Sequence, residues 1–173
     1  MKVAKAIAEF LRDQGIKHVF CISGGASLHI IHGISETEGI EIVCPQNEQA
    51  AGFAADSYAK LTGLGCALAT SGPGATNLIT AIGASYYDSI PVLYLTGQVA
   101  TFRMTGNTGV RQVGFQETPI VEIVKPITKW AKTVMNPEWV IPSLKLAVMY
   151  AKEGRPGPVL IDFPDDVQRM KIE

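Results

Sequence analysis

Val3, Ile7, Phe10 and Leu11 recur at the spacing of one buried helical stripe, and Gly15 follows where such a helix would close. The pattern predicts a helix from Val3 to Gln14. His18 to Ile22 is an apolar run that ends in Ser23-Gly24-Gly25, after which Leu28, Ile31 and Ile34 resume helical spacing. The unit is therefore strand, glycine turn, helix. It recurs with Ile40 to Cys44 as strand, Pro45-Gln46-Asn47 as turn and an alanine-rich helix from Glu48 to Leu61 closed by Gly63.

A third unit has Cys66 to Thr70 as strand, Ser71-Gly72-Pro73-Gly74 as turn and a helix of small residues from Ala75 to Ser85. Ile90 to Thr96 lacks alternation and so predicts a strand buried on both faces. Gly97 to Gly114 shows neither periodicity nor a core, and loops of that length usually serve function. A short helix from Pro119 to Val124, a strand from Lys129 to Val134, a turn at Asn136-Pro137, a helix from Pro142 to Lys152 and a strand from Val159 to Phe163 follow. Strands alternating with helices predict an α/β fold, a parallel sheet flanked by helices on both faces.

The 173 residues fit one domain of ordinary size, taken as 1–173 without linker or repeat. Hydrophobic residues make up 47% and charged residues 18%, a balance that predicts apolar surface left over for a partner. A formal net charge of -1, with no Lys/Arg cluster, argues against nucleic acid as a ligand. No run reaches the roughly 18 apolar residues of a membrane span, and Met1 to Ala8 reads as an amphipathic helix rather than a leader, so a cytoplasmic location is expected. Cys21, Cys44 and Cys66 lack metal-site spacing and are read as buried free thiols; His18 is read as structural, and His29 and His32 have no evident third ligand, so no metal site is expected.

In open parallel sheets ligands lie beyond the carboxyl ends of the strands. The turns to inspect are 23–26, 45–48, 71–77 and the loop after Thr96, which hold the unusual residues of the chain. Gly24-Gly25 and Gly72-Pro73-Gly74 let backbone approach a flat ligand. Glu48 opens its helix, where an acid can simply complement the macrodipole. The small residues after it, however, offer no cationic partner, and a second chain covering the carboxyl would raise its proton affinity. Ser71 is no nucleophile elbow, because Ala69 stands where glycine is needed and no histidine follows. Neither a Walker ending nor GxGxxG occurs.

Val19-Phe20 through Gly24-Gly25, Asn47-Glu48-Gln49-Ala50-Ala51, Thr70 to Asn77, Asp88-Ser89-Ile90-Pro91, Thr96-Gly97-Gln98, Phe115-Gln116-Glu117 and Gly154 to Val159 run in one order over nearly the whole chain. Together they resemble the amino-terminal, pyrimidine-binding domain of acetolactate synthases. The resemblance implies a thiamine diphosphate-dependent enzyme acting on 2-oxo acids by carboligation or decarboxylation. Its aminopyrimidine would lie at a dimer interface, its pyrophosphate on a separate domain through Mg²⁺.

Glu48 falls on the family's catalytic glutamate, whose task is to exchange a proton with ring nitrogen N1′. By the same resemblance Pro73 and Asn77 line the aminopyrimidine, Gly24 and Gly25 admit cofactor and reactants, and Phe115 and Gln116 reach the reacting centre, Gln116 as a second catalytic residue. Arg155 to Pro158 is read as a rigid lead-in to the last strand. FAD, bound by some relatives, is left open. The chain departs from the family at Cys21, Ser23, Asn47 and Asp165, and its 106–114 segment is longer, which points to a relative of the biosynthetic enzyme. The family's metal-binding Gly-Asp-Gly is absent from these residues, so the pyrophosphate-binding domain is expected downstream or on a partner chain, and this chain alone is expected to be inactive. The rival reading is a non-catalytic binding or assembly module that keeps the fold.

Overall fold

The computed structural model describes residues 1–172. Helix α1 (Val3–Asp13) buries Val3, Ile7 and Leu11, the stripe read from the sequence. Gly15, at φ +82°, turns the chain into β1 (His18–Cys21), because a left-handed conformation costs glycine little. A single 3₁₀ turn at Gly25–Ser27 leads into α2 (Leu28–Ser35), followed by β2 (Glu41–Val43) and α3 (Glu48–Thr62). Asn47 caps α3 through its side-chain oxygen, which accepts from the Ala50 N–H at 2.8 Å. Gly63, left-handed at φ +86°, closes it with an N–H donated to the Ala59 carbonyl.

Next come β3 (Gly65–Ala69), α4 (Pro73–Asn77), α5 (Ile79–Tyr87), β4 (Val92–Gln98), α6 (Ile120–Val124), β5 (Trp130–Thr133), α7 (Val140–Lys152), β6 (Val159–Pro164) and α8 (Asp165–Arg169). The six strands form one all-parallel sheet in the order β2-β1-β3-β4-β6-β5. Helices α1, α2 and α7 cover one face with a core of Ile7, Leu11, Leu95, Leu144 and Phe163; α3, α5 and α6 cover the other around Ala55, Leu78, Ile82 and Tyr94. The α/β architecture expected from the sequence is thus present. Residues of β3, β4 and β6 are buried throughout, as strands covered on both faces must be.

Three local expectations need correction. The helix predicted from Ala75 to Ser85 is two helices that meet at Leu78, the first starting at Pro73, where proline's fixed φ suits a first turn. The last strand runs directly into α8, a five-residue helix too short to leave a periodic signature. Cys44 is exposed rather than buried, since it follows β2, an edge strand paired with β1 on one side only. Cys21 and Cys66 are buried as expected, and burial pushes the Cys21 thiol up to about 12. No helix among the described residues is long and apolar enough to cross a membrane.

Candidate functional site

Strand order reverses between β1 and β3, so the chain leaves these neighbours toward opposite faces and a crevice opens at their carboxyl ends. The glycines there are required by contact. A Cβ on Gly24 would lie 2.4 Å from the Thr70 Cβ, and one on Gly97 only 2.0 Å from the Ala26 carbonyl oxygen. Thr70 Oγ1 also accepts the Ala26 N–H at 3.1 Å. The 24–26 turn is therefore seated on the ends of β3 and β4. Gly25 differs, because its missing side chain would point into open space.

Two positions of the Ser71–Gly74 turn face two of the predicted site residues. Gly72, at φ +62°, packs against Gln116, whose Cβ would be 2.7 Å from a Cβ on the glycine. At Gly74 an added Cβ would lie 3.3 Å from Glu48 Oε1. Glu48 is half-buried in the first turn of α3, and its Oε2 accepts from Asn77 Nδ2 at 2.9 Å. Asn77 is the last residue of α4, so packing of α4 on α3 joins residues 29 positions apart. Pro73 is exposed at the start of α4.

Gly25, Phe115 and Gln116 line a cavity of about 470 Å³ with Thr70, Ser71 and Gln98. Glu48, Pro73 and Asn77 do not line it. Phe115 is 81% exposed, so it is not core of this chain. Gln116 adopts φ +60°, a conformation non-glycine residues take at a cost. The structure thus joins Glu48 with Asn77 and Gly25 with Phe115 and Gln116, and the glycine turn links the two groups.

One polar hub escaped the sequence reading. Asp162 of β6, 1% exposed, accepts from Thr96 Oγ1 at 2.7 Å, Gln98 Nε2 at 3.1 Å and Thr133 Oγ1 at 3.1 Å. The register β4–β6–β5 sets Thr96, Asp162 and Thr133 side by side. A lone carboxylate in the apolar run Val159 to Phe163 was the available signal. Burial pushes its carboxyl up to about 6 although the three hydrogen bonds oppose the rise.

A raised folded-state pKa stabilises the fold while the group is protonated. That contribution is complete below the ordinary value of 3.8 and is lost as pH rises through about 6. It amounts to at most about 3 kcal/mol at about 1.4 kcal/mol per pH unit. Urea unfolding between pH 4 and 7 should show this loss in the parent and a flatter profile in Asp162→Asn. Parallel profiles would contradict the burial account.

Residues 1–122 match the family described as thiamine pyrophosphate enzyme, N-terminal TPP binding domain, and the chain belongs to that family. Curated relatives cover nearly all of it. Over 172 residues it is 42% identical to acetolactate synthase 2, chloroplastic, of Nicotiana tabacum, a match spanning 99% of this chain and 25% of that protein. Over 165 residues it is 43% identical to the acetolactate synthase isozyme 3 large subunit of Escherichia coli, spanning 95% and 28%. Over 174 residues it is 41% identical to the probable acetolactate synthase large subunit of Methanocaldococcus jannaschii, spanning 100% and 28%. The chain spans about a quarter of the length of these relatives.

The residues present suit the family's cofactor. Among the described residues no side-chain donor meets Glu48 Oε1, which lies beside a glycine whose added Cβ would approach that oxygen. A ring nitrogen that exchanges a proton needs such a carboxylate, held by a neutral donor and close to backbone that leaves room.

Proposed function

We propose that residues 1–173 form the single pyrimidine-binding domain of a larger thiamine diphosphate-dependent enzyme that acts on small 2-oxo acids. The observation that carries this reading is the Glu48–Asn77 pair beside Gly74 at the sheet's carboxyl ends. Bound thiamine diphosphate would supply a carbon nucleophile for 2-oxo acid chemistry. Glu48 holds or releases the proton at N1′, and Asn77, a neutral donor, orients the carboxylate without neutralising it. Pro73 and Gly24 shape the walls around the ring, Gly25 leaves the cavity open, and Phe115 and Gln116 meet the substrate. Mg²⁺ and the pyrophosphate belong to a second domain, on the same polypeptide or a partner.

The half-exposed carboxylate needs a cover to exclude water, and a second copy of the chain would provide it. Phe53 and Leu61 on α3 and Tyr87 on α5 are exposed apolar side chains on one side of the fold, with Leu61 88% accessible. Sedimentation of the protein should therefore show a dimer or larger assembly, and a monomer at high concentration would count against this cover.

The proposal as a whole is tested with pyruvate, thiamine diphosphate and Mg²⁺. The chain by itself should release no carbon dioxide, and the polypeptide that includes a pyrophosphate-binding domain should do so only with the cofactor present. Cofactor-dependent release by residues 1–173 alone would overturn the division of labour.

A further inference from the structure

The loop from Val99 to Pro119 contains a single 3₁₀ turn, Thr101–Arg103, and is otherwise without helix or strand, yet it is pinned at both ends. Near its start, Asp166 of α8 accepts the Thr101 N–H at 2.9 Å and the Thr101 hydroxyl at 2.6 Å. Near its end, Gln98 donates to the Thr118 carbonyl at 2.8 Å while also bonded to Asp162. Between these pins the chain is gathered by one carboxylate. Glu117 Oε1 accepts from the Thr105 N–H at 2.6 Å and the Thr105 hydroxyl at 2.8 Å, and Oε2 accepts from the Val113 N–H at 3.1 Å. The Glu117 N–H donates to the Gly114 carbonyl, and Gly114 sits so close to Val99 that a Cβ would lie 2.8 Å from it.

The residue just before this hub is Gln116, at φ +60° and seated on Gly72. A non-glycine residue held there is strained, so the flanking hydrogen bonds decide whether the conformation persists. We propose that Glu117 is a positioning residue that clamps the 105–113 segment and thereby holds Gln116 in its left-handed conformation at the cavity. Glu117 itself does not line the cavity that Gln116 lines. Burial pushes the Glu117 carboxyl up, but the bonds from Thr105, Val113 and Gly114 outweigh it and hold the group below the ordinary carboxylate range. An ionised carboxylate accepts at both oxygens and carries no proton of its own, which suits a group that meets the Thr105 N–H, the Thr105 hydroxyl and the Val113 N–H. This inference rests on the proposed function only for its catalytic consequence; the clamp itself belongs to the loop.

The test uses the complete enzyme and two kinds of readout. In Glu117→Gln an amide NH₂ replaces one accepting oxygen and meets an N–H donor. Amide hydrogen exchange at Thr105 and Val113, which donate to the Glu117 carboxylate, and at position 117, whose N–H donates to the Gly114 carbonyl, should then accelerate at least about tenfold with the sheet amides unchanged. Unchanged exchange at those three amides would overturn the proposal, whatever reaction the enzyme catalyses.

With 2-oxo acid turnover as readout, Glu117→Gln should lower kcat/KM about tenfold or more. Added to Gln116→Ala, it should lower it less than about twofold further, because a positioning residue has nothing left to position. Multiplying effects would overturn the proposal. If Glu117→Gln fails to fold, Thr105→Val, which removes one of the three donors, takes its place in both measurements with the same signs expected and the same contrary results decisive. An enzyme without thiamine diphosphate-dependent turnover would sink the proposed function while the amide exchange still decides the clamp.

Discussion

In the complete enzyme, Glu48→Gln should lower kcat about 10²- to 10⁴-fold, the range general acid–base groups contribute, while leaving the fold nearly unchanged. The substitution is almost isosteric. Glu48 opens α3, and the cap of that helix is supplied by Asn47, so helix initiation does not depend on the carboxylate. A glutamine oxygen can still accept from Asn77 Nδ2, which preserves the tie between α3 and α4. What disappears is a group able to exchange a proton with N1′. The loss therefore falls on cofactor activation and should reach every 2-oxo acid alike, whereas a substrate contact would show selectivity among them. Steady-state kinetics on two substrates together with the thermal midpoint check this. Parental kcat in the variant would remove Glu48 from the chemistry, and a collapse of the thermal midpoint would return it to helix support.

Gly97→Ala should be among the most damaging single changes to the fold. The new Cβ would stand 2.0 Å from the Ala26 carbonyl oxygen and 2.3 Å from its carbon, and neither is the movable end of a side chain. Gly97 lies in the central strand β4, paired on one side with Phe163 of β6, so the strand cannot retreat without breaking its ladder. Overpacking of flexible core side chains costs about 1–3 kcal/mol, and a clash between two backbones should exceed about 3 kcal/mol. For a protein of this size that lowers the thermal midpoint by roughly 6–12 °C. Gly25→Ala is the matched control, since its Cβ meets nothing within 4 Å, and its stability should change by no more than about 0.5 kcal/mol. Equal midpoints for the two variants would contradict this account of how the 24–26 turn is seated.

Much of the architecture was legible because single residues announce local structure. The Val3, Ile7, Leu11 stripe marks α1, Gly63 marks the end of α3, and unbroken apolarity marks β4 as doubly covered. Glu48 stood out because a polar cluster follows a strand and then gives way to alanines. What lay hidden depends on neighbours far apart in sequence. Asp162 becomes a hub only once β6 is placed between β4 and β5, which brings Thr96 and Thr133 alongside. The Glu48–Asn77 bond requires α4 to pack on α3, and α4 itself was obscured because small residues continue through Leu78 into α5 without a change of composition. Cys44 misled because burial was inferred from its apolar run, while exposure follows from β2 being an edge. The Glu117 clamp joins turn residues that carry no periodicity at all.

In the proposed function Glu48 handles the proton at the cofactor's aminopyrimidine before any substrate enters. Deuterium exchange at C2 of bound thiamine diphosphate, measured without a 2-oxo acid, tests it most directly. Exchange should be fast in the parent and slower by at least about a hundredfold in Glu48→Gln. Exchange as fast in the variant as in the parent would contradict it.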